Sequence, residues 1–276
     1  MTRQFWFSES DIFSKDFTPK FLVKSRIASQ KSKYQKIEIL DTFRFGKILV
    51  LDGTLQLTEK DEFMYHEMLV HVPMLTHKNP KKILIIGGGD GGALREVLKH
   101  KIDKVVMVEI DRDVIGYSRK YLKIDESSFN DKHLELNIGD AYDYVKLTKD
   151  KFDIIIDDAT DPVGGASENL FSKEFYSNIK RILAKDGIFV MNVGVPVYYT
   201  QKLSEIVKNI RAYLNNVKLY LPEVPSFGGL WPIAIFSKKY NPQYPRKSKI
   251  ATKCYNYEYH ISVFTLPKFL AQVYRE

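Results

Sequence analysis

Residues 83–92 read Ile83-Leu84-Ile85-Ile86-Gly87-Gly88-Gly89-Asp90-Gly91-Gly92, an apolar run entering a glycine turn that holds one acid. Gly87, Gly89 and Gly92 satisfy G-x-G-x-x-G spacing, and Leu94, Val97 and Leu98 open an amphipathic helix behind them. Glycines at these points allow a tight turn and let backbone N–H groups approach a ligand with no Cβ in the way. A second apolar run, Val105-Val106-Met107-Val108, ends on Glu109, 17 positions after Gly92. An acid at that distance, at the tip of a second strand, is placed to accept hydrogen bonds from ribose hydroxyls. An adenosine-type nucleoside is the expected ligand. Asp90 is the unusual element: a carboxylate inside such a loop repels a pyrophosphate, which argues against a dinucleotide and for a ligand group that is neutral or cationic.

Working outward, strand and helix alternate. Strands are predicted at 83–87, 104–109, 133–137, 152–157 and 187–193, and helices at 91–100, 112–121, 141–148, 171–184 and 199–214. This order predicts an α/β fold, a Rossmann-like, mostly parallel sheet of the methyltransferase type with helices on both faces. Ligands of such sheets bind beyond the carboxyl ends of the strands. Four of these tips carry an acid: Asp90, Glu109, Asp140, and the run Asp157-Asp158-Ala159-Thr160-Asp161. Like charges gathered at one edge repel unless a cation joins them. The chain is basic overall, with net charge +8, yet acidic where its ligand is expected. A cationic substrate reconciles the two.

Upstream the pattern is β. Lys36–Leu40, Ile48–Leu51 and Thr54–Thr58 alternate, joined by turns at Phe45-Gly46-Lys47 and Asp52-Gly53, the latter a strong hairpin signal. Asp61 is the predicted N-cap of a helix reaching Thr76, and Asn79-Pro80 breaks it. The expected division is a small all-β unit over 1–60 and a catalytic unit over 61–276, with 241–249 the most linker-like stretch.

Composition narrows the function classes. Hydrophobic content of 44% supports a packed core. A single cysteine, Cys254, excludes an internal disulfide framework and suits a reducing, cytoplasmic setting. Lysines are scattered rather than arrayed in one aromatic-interleaved stripe, so nucleic-acid binding is not expected, and no segment has the length of a membrane span. His66 and His71 lie five positions apart, about 500° around a helix, so they do not share a face and no metal site is expected there.

Several segments together carry a resemblance: Ser32-Lys33-Tyr34-Gln35, Leu51-Asp52-Gly53 through Gln56, Asp61-Glu62-Phe63-Met64-Tyr65-His66-Glu67, the Gly87–Gly92 loop, Glu109-Ile110-Asp111, Gly139-Asp140-Ala141, Asp158 to Gly164, and Tyr255-Asn256 with His260 and Leu266-Pro267. The chain resembles the spermidine synthases, the polyamine aminopropyltransferases, over essentially its whole length. Ordinary methyltransferases share the nucleoside loop but not the Tyr-His-Glu helix or the Asp-x-x-Asp-Pro tip. The resemblance implies transfer of an aminopropyl group from decarboxylated S-adenosylmethionine, a co-substrate, to a diamine, most simply putrescine, with no cofactor and release of methylthioadenosine. It implies Gln35, His66, Asp90, Glu109, Asp140, Ala141 and Gly165 around the donor: Asp90 at its terminal ammonium, Glu109 at the ribose, Asp140 at the adenine. It implies Tyr65, Asp158, Asp161 and Phe227 around the acceptor, Asp158 as general base, and a homodimer or homotetramer. Three positions depart from the family: Gly165 where proline is common, Phe227 where a tyrosine usually stands, and Asn192 in a segment that usually holds glutamine. They leave cadaverine, agmatine or a longer polyamine open as acceptor. A methyltransferase and a non-catalytic polyamine-binding protein are the alternatives outside this chemistry.

Overall fold

The computed structural model describes residues 4–9, 18–122, 124, 127–159 and 168–275. The first sheet is an antiparallel meander of five strands in chain order: β1 (Phe5–Ser8), β2 (Lys20–Lys31), β3 (Lys36–Thr42), β4 (Lys47–Leu51) and β5 (Thr54–Thr58). Asp52, at φ 47°, and Gly53, at φ 83°, form the tight β4–β5 turn that the Asp-Gly pair predicts. Helix α1 (Glu62–Thr76) follows and is buried almost all round, because it lies between the second sheet, the next helix and the C-terminal segment. Several of its buried polar groups find partners. Glu67, for example, accepts three backbone N–H bonds from Lys253, Cys254 and Tyr255, each 2.8 Å.

The second unit alternates β6 (Lys82–Gly87), α2 (Gly92–Leu98), β7 (Lys104–Glu109), α3 (Arg112–Tyr121), β8 (Leu134–Ile138), α4 (Ala141–Leu147), β9 (Phe152–Asp158), α5 (Lys173–Ile182), β10 (Leu183–Asn192) and α6 (Thr200–Tyr213). Then come β11 (Lys218–Tyr220), a short pair β12 (Glu223–Val224) and β13 (Gly229–Leu230), β14 (Ile233–Ser237), and helices α7 (Tyr257–Ser262) and α8 (Lys268–Arg275). The sheet runs β11-β14-β10-β9-β6-β7-β8. β8, β7, β6, β9 and β10 are mutually parallel, and β14 enters antiparallel between β10 and β11. The α/β expectation therefore holds, as a seven-stranded sheet rather than five. Chain order reverses around β6, flanked by β7 on one side and β9 on the other, and that switch point opens the crevice for a ligand.

Alternate residues of the central strands feed two cores. Leu84, Ile86, Val106 and Ile155 pack toward α4, α5 and α6, while Ile83, Ile85, Met107 and Ile156 pack toward α1 and α2. Two local expectations are corrected. Asp61 stands at the N-cap of α1 but its side chain accepts no hydrogen bond from the helix; it is engaged elsewhere. Residues 241–249 are no linker: Arg246 donates from its backbone to Leu75 O (2.8 Å), from Nε to His77 O (2.8 Å) and from Nη2 to Met74 O (3.1 Å), closing the C-terminal end of α1. Among the described residues no helix is long and apolar enough to cross a membrane.

Candidate active site

The acidic tips meet where the topology directs them, on four neighbouring strands. Asp140 follows β8, Glu109 ends β7, Asp90 follows β6 and Asp158 ends β9. The glycine loop makes this approach possible. Gly87 takes φ +73°, and a Cβ there would come within 2.6 Å of the Asp158 carbonyl oxygen; a Cβ on Gly92 would overlap the His66 ring.

Three of the four carboxylates are aimed by backbone amides. Asp90 Oδ1 accepts from Gly92 N (2.7 Å). Glu109 accepts from Gly89 N (3.1 Å) through Oε2 and from Asp111 N (2.8 Å) through Oε1. Asp140 Oδ1 accepts from Tyr142 N (2.7 Å) and so caps α4, beside the buried Ala141. Gln35 reaches the same face from the first sheet: its amide donates to Asp111 Oδ2 (3.1 Å), which Ser32 Oγ also contacts (2.6 Å).

The charges do not balance evenly. His66 is buried with Nδ1 2.8 Å from Glu62 Oε2 and Nε2 3.3 Å from Asp90 Oδ1. Both ring nitrogens face acceptors, which only the imidazolium satisfies. Burial opposes its charge, yet the Asp90 and Glu62 carboxylates prevail and hold its pKa well above the ordinary value. Glu62 is in turn gripped by Arg95 through two 2.9 Å bonds. Asp90, although desolvated, is held below its ordinary pKa chiefly by His66.

The other acids lack such a partner. Burial pushes Asp158 up to about 7, with the Asp90 charge adding to it and His66 and the Tyr65 hydroxyl opposing. Burial likewise raises Glu109 to about 7 against its two backbone amides, and Asp157 to about 7. Tyr65 OH donates to Asp158 Oδ1 (2.8 Å), whereas Oδ2 is buried with no hydrogen-bond partner among the described residues and faces Gly88. One ligand atom each from His66, Asp90 and Asp158 lies within 4.8 Å of the others, so the loop acid and the strand-tip acid share one small volume.

Beside Asp158 stands an aromatic wall. The Phe227 ring lies 5.7 Å from Tyr65 and 4.9 Å from Trp231, centroid to centroid. Trp231 Nε1 donates to Asn192 Oδ1 (2.8 Å), so Asn192 positions an aromatic ring. Asp161 and Gly165 lie outside the described residues.

Residues 62–248 match the spermine/spermidine synthase domain, and residues 5–59 match the spermidine synthase tetramerisation domain. The chain belongs to the spermine/spermidine synthase family. The polyamine aminopropyltransferase of Thermoanaerobacter sp. (strain X514) is 43% identical over 99% of both chains, and that of Clostridium kluyveri 40% identical over 98% of this chain and 99% of its own. A spermidine synthase solved with the transition-state analogue AdoDATO superposes with TM-score 0.93 at 38% identity, covering 100% of this chain and 97% of its own. The spermidine synthase of Thermotoga maritima gives TM-score 0.91 at 37% identity, covering 100% and 96%. This family member is an enzyme of the aminopropyltransferase type, which transfers an aminopropyl group.

Some residues of the site were not singled out from sequence. Glu62 had a readable signal, standing four positions before His66 and so on the same helical face. Arg95 and Trp231 had none: their partners lie 33 and 39 positions away in the chain.

Proposed function

We propose that the chain transfers the aminopropyl group of decarboxylated S-adenosylmethionine to putrescine, in the cytoplasm, as a homo-oligomer. What carries this reading is Asp158: a half-buried residue whose carboxyl pKa is pushed up to about 7, one oxygen fixed by Tyr65 and the other buried and unengaged among the described residues, 4.8 Å or less from the acid of the nucleoside loop.

The donor lies across the strand tips, with Asp140 and Ala141 at the adenine, Glu109 and Gln35 at the ribose, and Asp90 at its terminal ammonium, with His66 holding that carboxylate in place. Decarboxylation has removed the donor's only anion, so Asp90 attracts where it would repel intact S-adenosylmethionine. The acceptor enters between Asp158 and the Tyr65–Phe227–Trp231 wall, with Asp161 assigned to the acceptor and Gly165 to the donor. An alkylammonium with a pKa of roughly 10 has no free lone pair at neutral pH. Asp158 takes that proton as the nitrogen attacks the methylene carbon. A C–N bond forms, and the C–S bond breaks with its electron pair returning to sulfur. The cationic sulfonium leaves as the neutral thioether of methylthioadenosine. The sulfonium already activates the carbon, so positioning and proton removal are what the protein adds. The match of residues 5–59 to a tetramerisation domain supports the assembly.

Phe227 favours one variation on this reading. A phenyl ring where a hydroxyl usually stands leaves an apolar wall suited to methylene groups, so a longer amine such as cadaverine, or agmatine, is the second candidate acceptor. The test is a panel of amines incubated with the decarboxylated donor and read by product mass. Spermidine and an equimolar yield of methylthioadenosine from putrescine are expected. A product from another amine only would move the acceptor, and no product with any amine would overturn the reading.

A further inference from the structure

The three rings of the acceptor wall are fastened differently. Tyr65 is held by its hydroxyl on Asp158 (2.8 Å), and Trp231 by its indole N–H on Asn192 (2.8 Å). Phe227 has no polar atom. Its ring position depends on packing and on the backbone that presents it, a 3-10 turn over Pro225–Phe227 that ends at Gly228, φ +89°. Beyond the β12–β13 pairing that flanks it, Asp61 fastens that turn. Asp61 Oδ2 accepts from Ser226 N (2.8 Å), and Asp61 Oδ1 accepts from Ser226 Oγ (2.9 Å). The same Oδ1 accepts from Thr58 Oγ1 (2.7 Å), the last residue of β5.

Asp61 is thus an N-cap residue that forgoes its helix. Capping typically contributes about 1 kcal/mol. Here the carboxylate instead joins the end of the first sheet to the turn that precedes Phe227, 165 positions away in the chain. The junction is buried: Asp61 is 4% exposed and Ser226 2% exposed. Phe227 itself packs against both the core around α1 and the core of the first sheet, which contains Phe21, Leu40 and Leu55.

We infer that Asp61 is a positioning residue for the acceptor side of the site, through which the first sheet sets the place of Phe227. The inference rests on the proposed reading of the Tyr65–Phe227–Trp231 wall as the acceptor's. It gives the first sheet a role in selecting the acceptor, alongside any role in assembly. The donor side does not pass through this junction, because its acids are aimed by the amides of Gly89, Gly92, Asp111 and Tyr142.

The experiment compares Asp61→Ala, Asp61→Asn and Ser226→Ala with the wild type. It measures acceptor KM and kcat at saturating donor, and methylthioadenosine affinity by calorimetry. Asp61→Ala leaves the Ser226 N–H buried and unpaired and should raise the putrescine KM by about tenfold, with methylthioadenosine affinity unchanged. Asp61→Asn should recover most of that loss, since a turned amide still accepts from Ser226 N and can donate to both hydroxyls. Ser226→Ala, which keeps the backbone bond, should raise KM by about two- to threefold. It decides the matter if Asp61→Ala does not fold. An unchanged acceptor KM, or a parallel loss of methylthioadenosine affinity, overturns the inference. If the wild type consumes no amine, the proposed function fails first and the inference falls with it; a competent wild type with indifferent variants overturns the inference alone.

Discussion

The two halves of the crevice are built on different principles. Where we propose that the donor lies, Asp90, Glu109 and Asp140 are each aimed by backbone N–H groups of the strand tips and the following turns. Where we propose that the acceptor lies, the groups are side chains borne on distant segments: Tyr65 on α1, Phe227 and Trp231 after α6, and Asp158 with one oxygen unengaged among the described residues. Backbone-aimed groups follow from topology and tolerate little variation, because the same loop that folds the sheet also presents them. Side-chain walls depend on one residue at a time. Such a plan lets a donor stay fixed while an acceptor varies, and two of the three departures, Phe227 and Asn192, belong to the side-chain wall.

The largest effect should come where the two halves meet. Asp158→Asn keeps the shape of the group and its contact with Tyr65 but cannot take a proton, so turnover should fall by roughly 10²-fold or more at unchanged methylthioadenosine affinity. Stopped assays at neutral pH check this, and near-normal turnover would remove Asp158 as the base. A smaller and more selective effect is expected at Asp90. Asp90→Asn gives up a charge-assisted contact and should weaken the decarboxylated donor by about ten- to a hundredfold. Methylthioadenosine has no ammonium and should bind nearly as before; equal weakening of both in calorimetry would mean that Asp90 only shapes the loop.

On the acceptor side, Phe227→Tyr should improve kcat/KM for putrescine relative to cadaverine by a few-fold to about tenfold, the scale of one net hydrogen bond. An unchanged ratio would make the departure at 227 neutral and would weaken the contrast between a fixed and a variable half.

The smallest effect concerns stability. Asp157 is buried, its Oδ2 has no partner among the described residues, and its pKa rises from the ordinary 3.8 to about 7. A folded pKa above the unfolded one means stability is fully present below the unfolded value and is lost as pH climbs through the folded one. Between about pH 4 and pH 7 the wild type should therefore lose melting temperature that Asp157→Asn retains. Parallel melting curves against pH would show that the carboxylate is relieved in the folded protein.

Much of this was legible in the chain. Ile83–Gly92 foretold the strand, the turn and the helix, and Asp90, Glu109, Asp140 and Asp158 could be placed at one edge because a parallel sheet puts its strand tips there. What could not be read depends on long-range partners. The edge strand β11 and its neighbour β14 are short and carry no period that marks them. Nor does the sequence show that the acids are answered partly from within, by His66 and Arg95, so that Asp90 and Glu62 are neutralised while Glu109, Asp157 and Asp158 are not. Asp61 had the local signature of a cap, and only the fold reveals that Ser226 claims it.

The central claim is that Asp158 removes the acceptor's proton, and the most direct test is the pH dependence of a single turnover with donor already bound. The account predicts a rate that rises with pH through a limb near 7 and is level beyond it, with that limb absent from the residual rate of Asp158→Asn. A wild-type rate that keeps climbing toward the amine's own pKa of about 10, or a limb that persists in the variant, would contradict it.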